Sequence, residues 1–207
     1  MAVEGTISTE GSQSLSGMPF RATLSDDTLD LVMSGPFGIT AARIHAEPDT
    51  FMAANYLLRE AHDGSPTSPD LTRSMPVPLT IADLRLLMRG RVPGDVSRFS
   101  FVEDRPDGTL LFVSRDSTTA EYVLVDTVTN VLRQYQRKKI GAGVVINITM
   151  SDVRETHGVY IPYAIDVTFD DKKETARFRY TSVVFQDKAT ALPRFAIPPS
   201  FKRTTYR

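Results

Sequence analysis

The side chains that could do chemistry are few and scattered. His45, His62 and His157 lie far apart in the chain and lack the spacing of a metal site, so each reads as a loop or surface residue. Acidic residues gather at Asp26-Asp27, at Glu103-Asp104 and at Asp170-Asp171 with Glu174. All of these fall at expected turns, where Asp bonds to nearby backbone. A glycosidase would need two carboxylates brought together from distant sequence, both pointing inward. The alternation puts most acids outward or in turns. The chain has no Cys, which removes thiolate ligands, disulfides and cysteine catalysis. No G-x-S-x-G elbow, G-x-G-x-x-G or P-loop is present, and Gly141-Ala142-Gly143 runs into a strand-like segment as a hairpin turn would. The residues therefore offer no catalytic set, no metal site and no cofactor motif.

One stretch of the chain is strongly basic. On a strand, Arg133, Tyr135, Arg137 and Lys139 share a face, with Lys138 beside them. Basic residues interleaved with an aromatic resemble a nucleic-acid patch, but the formal net charge of −1 gives no supporting field. A solvated or edge strand guarded by charge is the commoner meaning, and a contact patch for an acidic protein comes second. No nucleic-acid partner is expected.

The element that positions everything else is Met75 to Asp95, MPVPLTIADLRLLMRGRVPGD. Thr80 is a good N-cap, and Asp83 stands three residues on, as a short capping box requires. Ile81, Leu84, Leu87 and Met88 form one apolar stripe at helical spacing. Gly90 suits a left-handed C-cap, and Pro93 stops any continuation. Pro76 and Pro78 hold the entering chain extended. A single helix of about ten residues is unstable alone in water, so the stripe must lie on a sheet.

The rest reads as strands. Val3 to Gln13, Met18 to Leu24, Leu29 to Met33 and Ile39 to Ala46 come first, with a Gly-Pro turn at 34–38. Phe51 to Leu58 is strand or short helix, and His62 to Asp70 is loop by composition. Ser68 or Asp70 could cap a short helix over Leu71 to Ser74. After the Thr80 helix the spacing predicts strands at 98–102, 109–114, 121–125, 132–138 and 144–150. Val159 to Phe169 is the longest period-two run and pairs as a hairpin with Thr175 to Phe185. Pro162 inside that run argues for an edge or a bulge. The tail from Leu192 to Phe201 reads as extended. The total is about ten or eleven strands, mostly meander-connected.

A sheet of that length tends to curl, and its concave apolar face needs a cover. The expected fold is therefore mainly β: a strongly curled antiparallel sheet with a short helical lid, as one domain over residues 1–207. At 207 residues, with 41% hydrophobic and 24% charged, the chain can bury a sizeable core. No apolar run approaches the ~20 residues of a membrane helix. MAVEGTIS has no basic segment followed by an apolar run, so no signal peptide is read there.

Particular residues carry a resemblance. Leu31-Val32-Met33-Ser34-Gly35-Pro36-Phe37-Gly38, then Met75-Pro76-Val77-Pro78-Leu79, Leu84, Gly90 and Pro93-Gly94-Asp95, resemble the outer-membrane lipoprotein receptor family LolB. That family has a strand ending in Pro-Leu-Gly and a Pro-x-Pro-Leu segment leading into a short helix that ends in Gly. The second half agrees in pattern only, through a strand meander with a turn near Gly158 to Pro162. The resemblance implies an unclosed β-barrel with a helical lid, shared with the periplasmic carrier LolA. It implies a non-enzymatic role: taking lipoprotein acyl chains into the hollow and passing them to the outer membrane. A periplasmic carrier protein is then an implied partner, the outer-membrane surface another, and the chain is expected to be a monomer.

Two departures stand out. A LolB-type protein is tethered to the outer membrane from the periplasm through an N-terminal lipidated Cys, which this sequence lacks. The family's apolar turn residue, Leu, is Phe37 here, and an aromatic keeps the membrane-dipping character. The alternative for Phe37 is a turn side chain folded back on the sheet. For the cavity lining the candidates are Leu29, Leu31, Met33, Leu84, Leu87 and Met88, since Leu and Met repack around a flexible chain. The competing expectation is that these side chains fill the interior, leaving a ligand-free structural or interaction module of a cell-envelope assembly.

Overall fold

The computed structural model describes residues 1–11, 14–66, 68, 80–141, 143–170, 173–185 and 195–206. Pro76, Pro78 and the segment Leu71 to Ser74 lie outside the described residues, as does the start of the tail at Leu192. Six strands open the chain: β1 (Ala2–Glu10), β2 (Leu15–Leu24), β3 (Leu29–Ser34), β4 (Thr40–Ala46), β5 (Phe51–Asn55) and β6 (Glu60–Gly64). Helix α1 (Ile81–Met88) follows. Then come β7 (Ser100–Asp104), β8 (Thr109–Arg115), β9 (Thr119–Asp126), β10 (Leu132–Lys139), β11 (Gly143–Thr156), β12 (Val159–Phe169) and β13 (Glu174–Val184). β14 (Lys202–Tyr206) is the last strand among the described residues.

All of these strands belong to one sheet, in the order β14-β6-β5-β4-β3-β2-β1-β13-β12-β11-β10-β9-β8-β7. Two meanders meet where β1 pairs antiparallel with β13, and β14 returns to pair parallel with β6. The outer strands β14 and β7 are not paired with each other, so the sheet is not closed into a barrel. Both edges carry charge, Glu103 and Asp104 on β7 and Lys202 and Arg203 on β14, which discourages edge-to-edge pairing.

Alternation sets the faces. In β12, Ile161, Tyr163, Ile165, Val167 and Phe169 are all buried, as are Ala176, Phe178 and Tyr180 in β13. These join Phe20, Leu29 and Leu31 from the first meander and Val123, Tyr135 and Ile148 from the second in one continuous core. That core is the concave side of the curl, and α1 lies on it.

The sheet holds two strands that composition conceals. β6 reads as loop because of Asp63 and Gly64, yet it is hydrogen-bonded between β5 and β14. Tertiary pairing overrides weak strand propensity there. β14 is the second, beyond the predicted extended tail. Phe51 to Leu58 resolves into strand β5 followed by a turn. Pro162 does not lie on an edge strand, since β12 pairs with both β11 and β13. The β13 ladder begins only at Ala164, so Pro162 sits where the two strands have separated. A missing N–H breaks no ladder bond on that side. β10 is likewise internal. Tyr135 is buried, and a register shift between Leu132 and Gln134 takes Arg133 to Asp126 instead.

Candidate functional site

The lid helix starts and stops as its sequence dictates. The Thr80 hydroxyl accepts from the Asp83 amide at 3.0 Å. At the other end the Gly90 amide donates to Leu87 O and the Arg91 amide to Leu86 O, both at 2.9 Å. This paired 5→2 and 6→1 arrangement needs a left-handed residue, and Gly90 has φ 73°. Gly90 also abuts β12: a Cβ there would stand 2.8 Å from Pro162 Cδ. Glycine is thus required twice over, for conformation and for space.

α1 bridges the two meanders. Its N-terminal turn, with Ile81 and Arg85, lies beside Leu29 and Ala46 of β3 and β4. Its C-terminal end meets β12 and β13 through Gly90 and through the Tyr180 hydroxyl, which donates to Met88 O at 2.8 Å. Burial pushes the Tyr180 phenol above its ordinary range, so it stays protonated and remains a donor. Arg89 adds an ion pair to Asp26 at 2.6 Å and a bond to Ser25 O at 3.2 Å, tying the same end to the β2–β3 turn.

The six residues expected to line a hollow come together. Leu29, Leu31, Leu84, Leu87 and Met88 are buried in the continuous core, with Met33 partly buried against it. Ile81, the first residue of the stripe, belongs to the same cluster. Each such side chain contributes roughly 1.5–3 kcal/mol by leaving water. At the N-terminal side of α1 a pocket of about 50 Å³ opens between Leu29, Ala46, Pro48, Pro66, Ile81 and Arg85. Sites that hold drug-sized ligands run to roughly 300–1,000 Å³, so this pocket by itself takes no acyl chain.

Further along the concave face, Glu121 of β9 is a buried carboxylate that the sequence pattern does not reveal. It accepts from the Tyr135 hydroxyl at 2.5 Å and from Arg137 Nε at 2.7 Å. It also pairs with Arg98, which belongs to a short 3₁₀ turn (Val96–Arg98) after the lid. Burial first, then the bond to Glu121, pushes the Tyr135 phenol above its ordinary range. Glu121 therefore fastens the strap that follows α1 to the inner face of the sheet. The only advance signal was its register: Glu121 lies opposite Arg137 once β9 and β10 are paired. Among the described residues no three His, Asp or Glu side chains gather as a metal site.

Phe37 stands apart from the core. It occupies a 3₁₀ turn (Pro36–Gly38) at the β3–β4 tip, fully exposed, with φ 61° and ψ 21°. It does not fold back on the sheet. A second apolar pair, Leu57 and Leu58, is exposed on the β5–β6 turn, where the Phe51 to Leu58 segment ends in a turn closed by Asn55. No helix among the described residues is long and apolar enough to cross a membrane.

Compared by sequence, the chain matches no protein-family model and no curated protein. Compared by fold, it is similar to solved structures along nearly its whole length. A DUF1329 family protein from Desulfovibrio piger is 10% identical, with a TM-score of 0.64 over 91% of this chain and 86% of that one. A domain named for outer membrane lipoprotein sorting, from Vibrio parahaemolyticus, is 9% identical, with a TM-score of 0.60 over 92% and 86%. A LolA superfamily protein from Nitrosomonas europaea is 9% identical, with a TM-score of 0.55 over 91% and 86%. The fold is therefore LolA/LolB-like: an unclosed β-barrel with a helical lid.

Proposed function

We propose that this chain is a non-enzymatic carrier or receptor that holds acyl chains of lipoproteins, or other lipid, in the concave face beneath α1. The reading places it in the periplasm, working at the outer-membrane surface. Its native anchor would be an N-terminal lipidated Cys outside this sequence. The observation that carries it is the position of α1, whose whole apolar stripe is buried in the core on the sheet's concave face while polar fastenings hold its C-terminal end. Such a lid can lift without breaking a strand pairing. Leu29, Leu31, Met33, Leu84, Leu87 and Met88 would then line the space, and burial of each CH₂ supplies about 0.8 kcal/mol toward acyl binding. On this reading the buried stripe is the closed state of the lid, a ligand would displace α1 to enter, and its affinity would be reduced by the cost of opening.

A second reading is favoured by the same close packing: a ligand-free interaction module in which the stripe is simply core. One experiment separates the two. Native mass spectrometry after gentle purification, with lipid extraction of the same sample, is expected to find acyl lipid at near one per chain. A clean apo mass, together with no uptake of a fluorescent fatty acid, would leave the interaction module standing.

A further inference from the structure

Two adjacent hairpin tips leave the sheet at one end. β4 and β5 are paired, and their last rung there runs from the Tyr56 amide to Ala41 O at 2.9 Å. Beyond that rung the β3–β4 tip carries Phe37 and Ile39, and the β5–β6 tip carries Leu57 and Leu58. Exposures are 101%, 63%, 66% and 62% respectively.

The β5–β6 turn is built to show its leucines. Asn55 Oδ1 accepts from the amides of Leu57 and Leu58 at 3.1 and 3.0 Å, which closes the turn without their side chains. Tyr56 instead turns to Phe201, ring centroids 5.4 Å apart. Arg59 then takes a left-handed φ of 55° and its carbonyl receives the Lys202 amide at 2.9 Å. Arg59 and Lys202 are thereby set beside the leucines, both exposed, with Glu60 as the acid at that turn. The β3–β4 tip, 34–40, has no charge at all.

We infer that the Leu57-Leu58 tip, flanked by Arg59 and Lys202, is a second membrane-docking element, acting with the Phe37 tip on an anionic lipid bilayer. Apolar side chains projecting past a cationic flank match the interface of a bilayer, where chains enter the acyl boundary and cations meet anionic headgroups. A second protein copy fits less well. Four side chains of this size offer on the order of 500 Å², short of the roughly 800 Å² per partner of a stable interface. The inference rests on the carrier reading above, because docking at a bilayer is what brings an acyl chain to the lid. It also implies lipid selectivity, since the leucines supply contact on any bilayer and the two cations supply preference for negative headgroups.

The test is flotation of the full chain with vesicles of phosphatidylcholine, alone or with phosphatidylglycerol added, at low and high salt. Fluorescent fatty-acid uptake in detergent-free buffer is run in parallel. Wild type is expected to float with both vesicles, more with the anionic ones, and to lose that difference at high salt. Leu57→Glu/Leu58→Glu is expected to bind at least tenfold more weakly to both while taking up fatty acid as wild type does. Arg59→Glu/Lys202→Glu is expected to keep neutral-vesicle binding and lose the anionic preference. Unchanged flotation of the leucine variant overturns the inference, as does a wild type that floats with neither vesicle. A leucine variant that changes only the mass in light scattering, from dimer to monomer, overturns it in favour of self-association. Absent fatty-acid uptake with intact flotation would overturn the carrier reading and leave the docking surface in place.

Discussion

The Tyr180 hydroxyl of β13 donates to the Met88 carbonyl at the end of α1 across 2.8 Å, with both groups buried. That carbonyl has no partner within the helix, because the last turn leaves its acceptors open. One phenol therefore joins the lid to the sheet at the point where β12 and β13 part. Tyr180→Phe keeps the ring contacts with Phe20 and Tyr163 and removes only the donor. Leaving the buried carbonyl unsatisfied costs about 1–3 kcal/mol. The urea midpoint is expected to fall accordingly, and amide exchange in Ile81–Met88 to accelerate more than in β12. Equal protection of α1 in the variant and wild type would show that the tyrosine does not hold the lid.

Glu121 is the second fastening. One carboxylate serves the Tyr135 hydroxyl, Arg137 and Arg98. Truncating Glu121 leaves the buried Tyr135 hydroxyl without its acceptor, at about 1–3 kcal/mol, while the two arginines are exposed enough to be partly solvated instead. Glu121→Ala is expected to lose that much in chemical denaturation. Glu121→Gln, which still accepts from Tyr135, is expected to lose less. Arg98→Ala should cost less again, since half-exposed ion pairs are worth little, yet it frees the strap after α1. A faster rate of fatty-acid uptake in Arg98→Ala, measured by stopped flow, is the expected sign of that release.

Acid should weaken the fold through the turns of the second meander. Asp126 accepts from the Thr129 amide at 2.8 Å and from Arg133 at 2.7 Å, and these hold its carboxyl well below the usual range. Asp116 is lowered in the same way by the Thr118 and Thr119 amides and hydroxyls. A depressed folded-state value means the unfolded chain takes up protons first. The contribution is fully present above the unfolded value near 4 and is lost as pH falls through it toward the folded value. Urea midpoints are expected to stay level above about pH 5 and to drop below about pH 4. Asp126→Asn should start lower at neutral pH and fall less steeply in acid.

Much of this was legible from local chemistry, and what escaped did so for identifiable reasons. Thr80, Gly90 and the stripe announced the helix because caps and period act within one turn of chain. The β12–β13 hairpin announced itself by alternation. β6 and Glu121 escaped because each depends on a partner strand that pairing supplies, Ala54 opposite Ala61 and Arg137 opposite Glu121. The lining candidates came together because Leu and Met on an inward face must pack somewhere. Whether they part for a ligand is a property of the lid's attachments, which no residue spacing encodes. Leu57 and Leu58 escaped because Asn55, not their own pattern, makes the turn.

Phe37 should separate stability from membrane association. Its left-handed backbone costs a residue with a Cβ roughly 1–2 kcal/mol, and full exposure returns nothing in packing. Glycine relieves that strain but gains freedom in the unfolded chain, so Phe37→Gly is expected to be as stable as wild type or better by up to about 1 kcal/mol. Vesicle association should weaken all the same, because the ring is gone. Phe37→Glu keeps the strain and adds a charge that an anionic surface repels, so its association should fall further, and on the proposed carrier role so should transfer of lipoprotein to vesicles. A Phe37→Glu chain that transfers lipoprotein as well as wild type would remove the membrane role of this turn. The exposed, strained aromatic would then need another partner to explain why it is held outward.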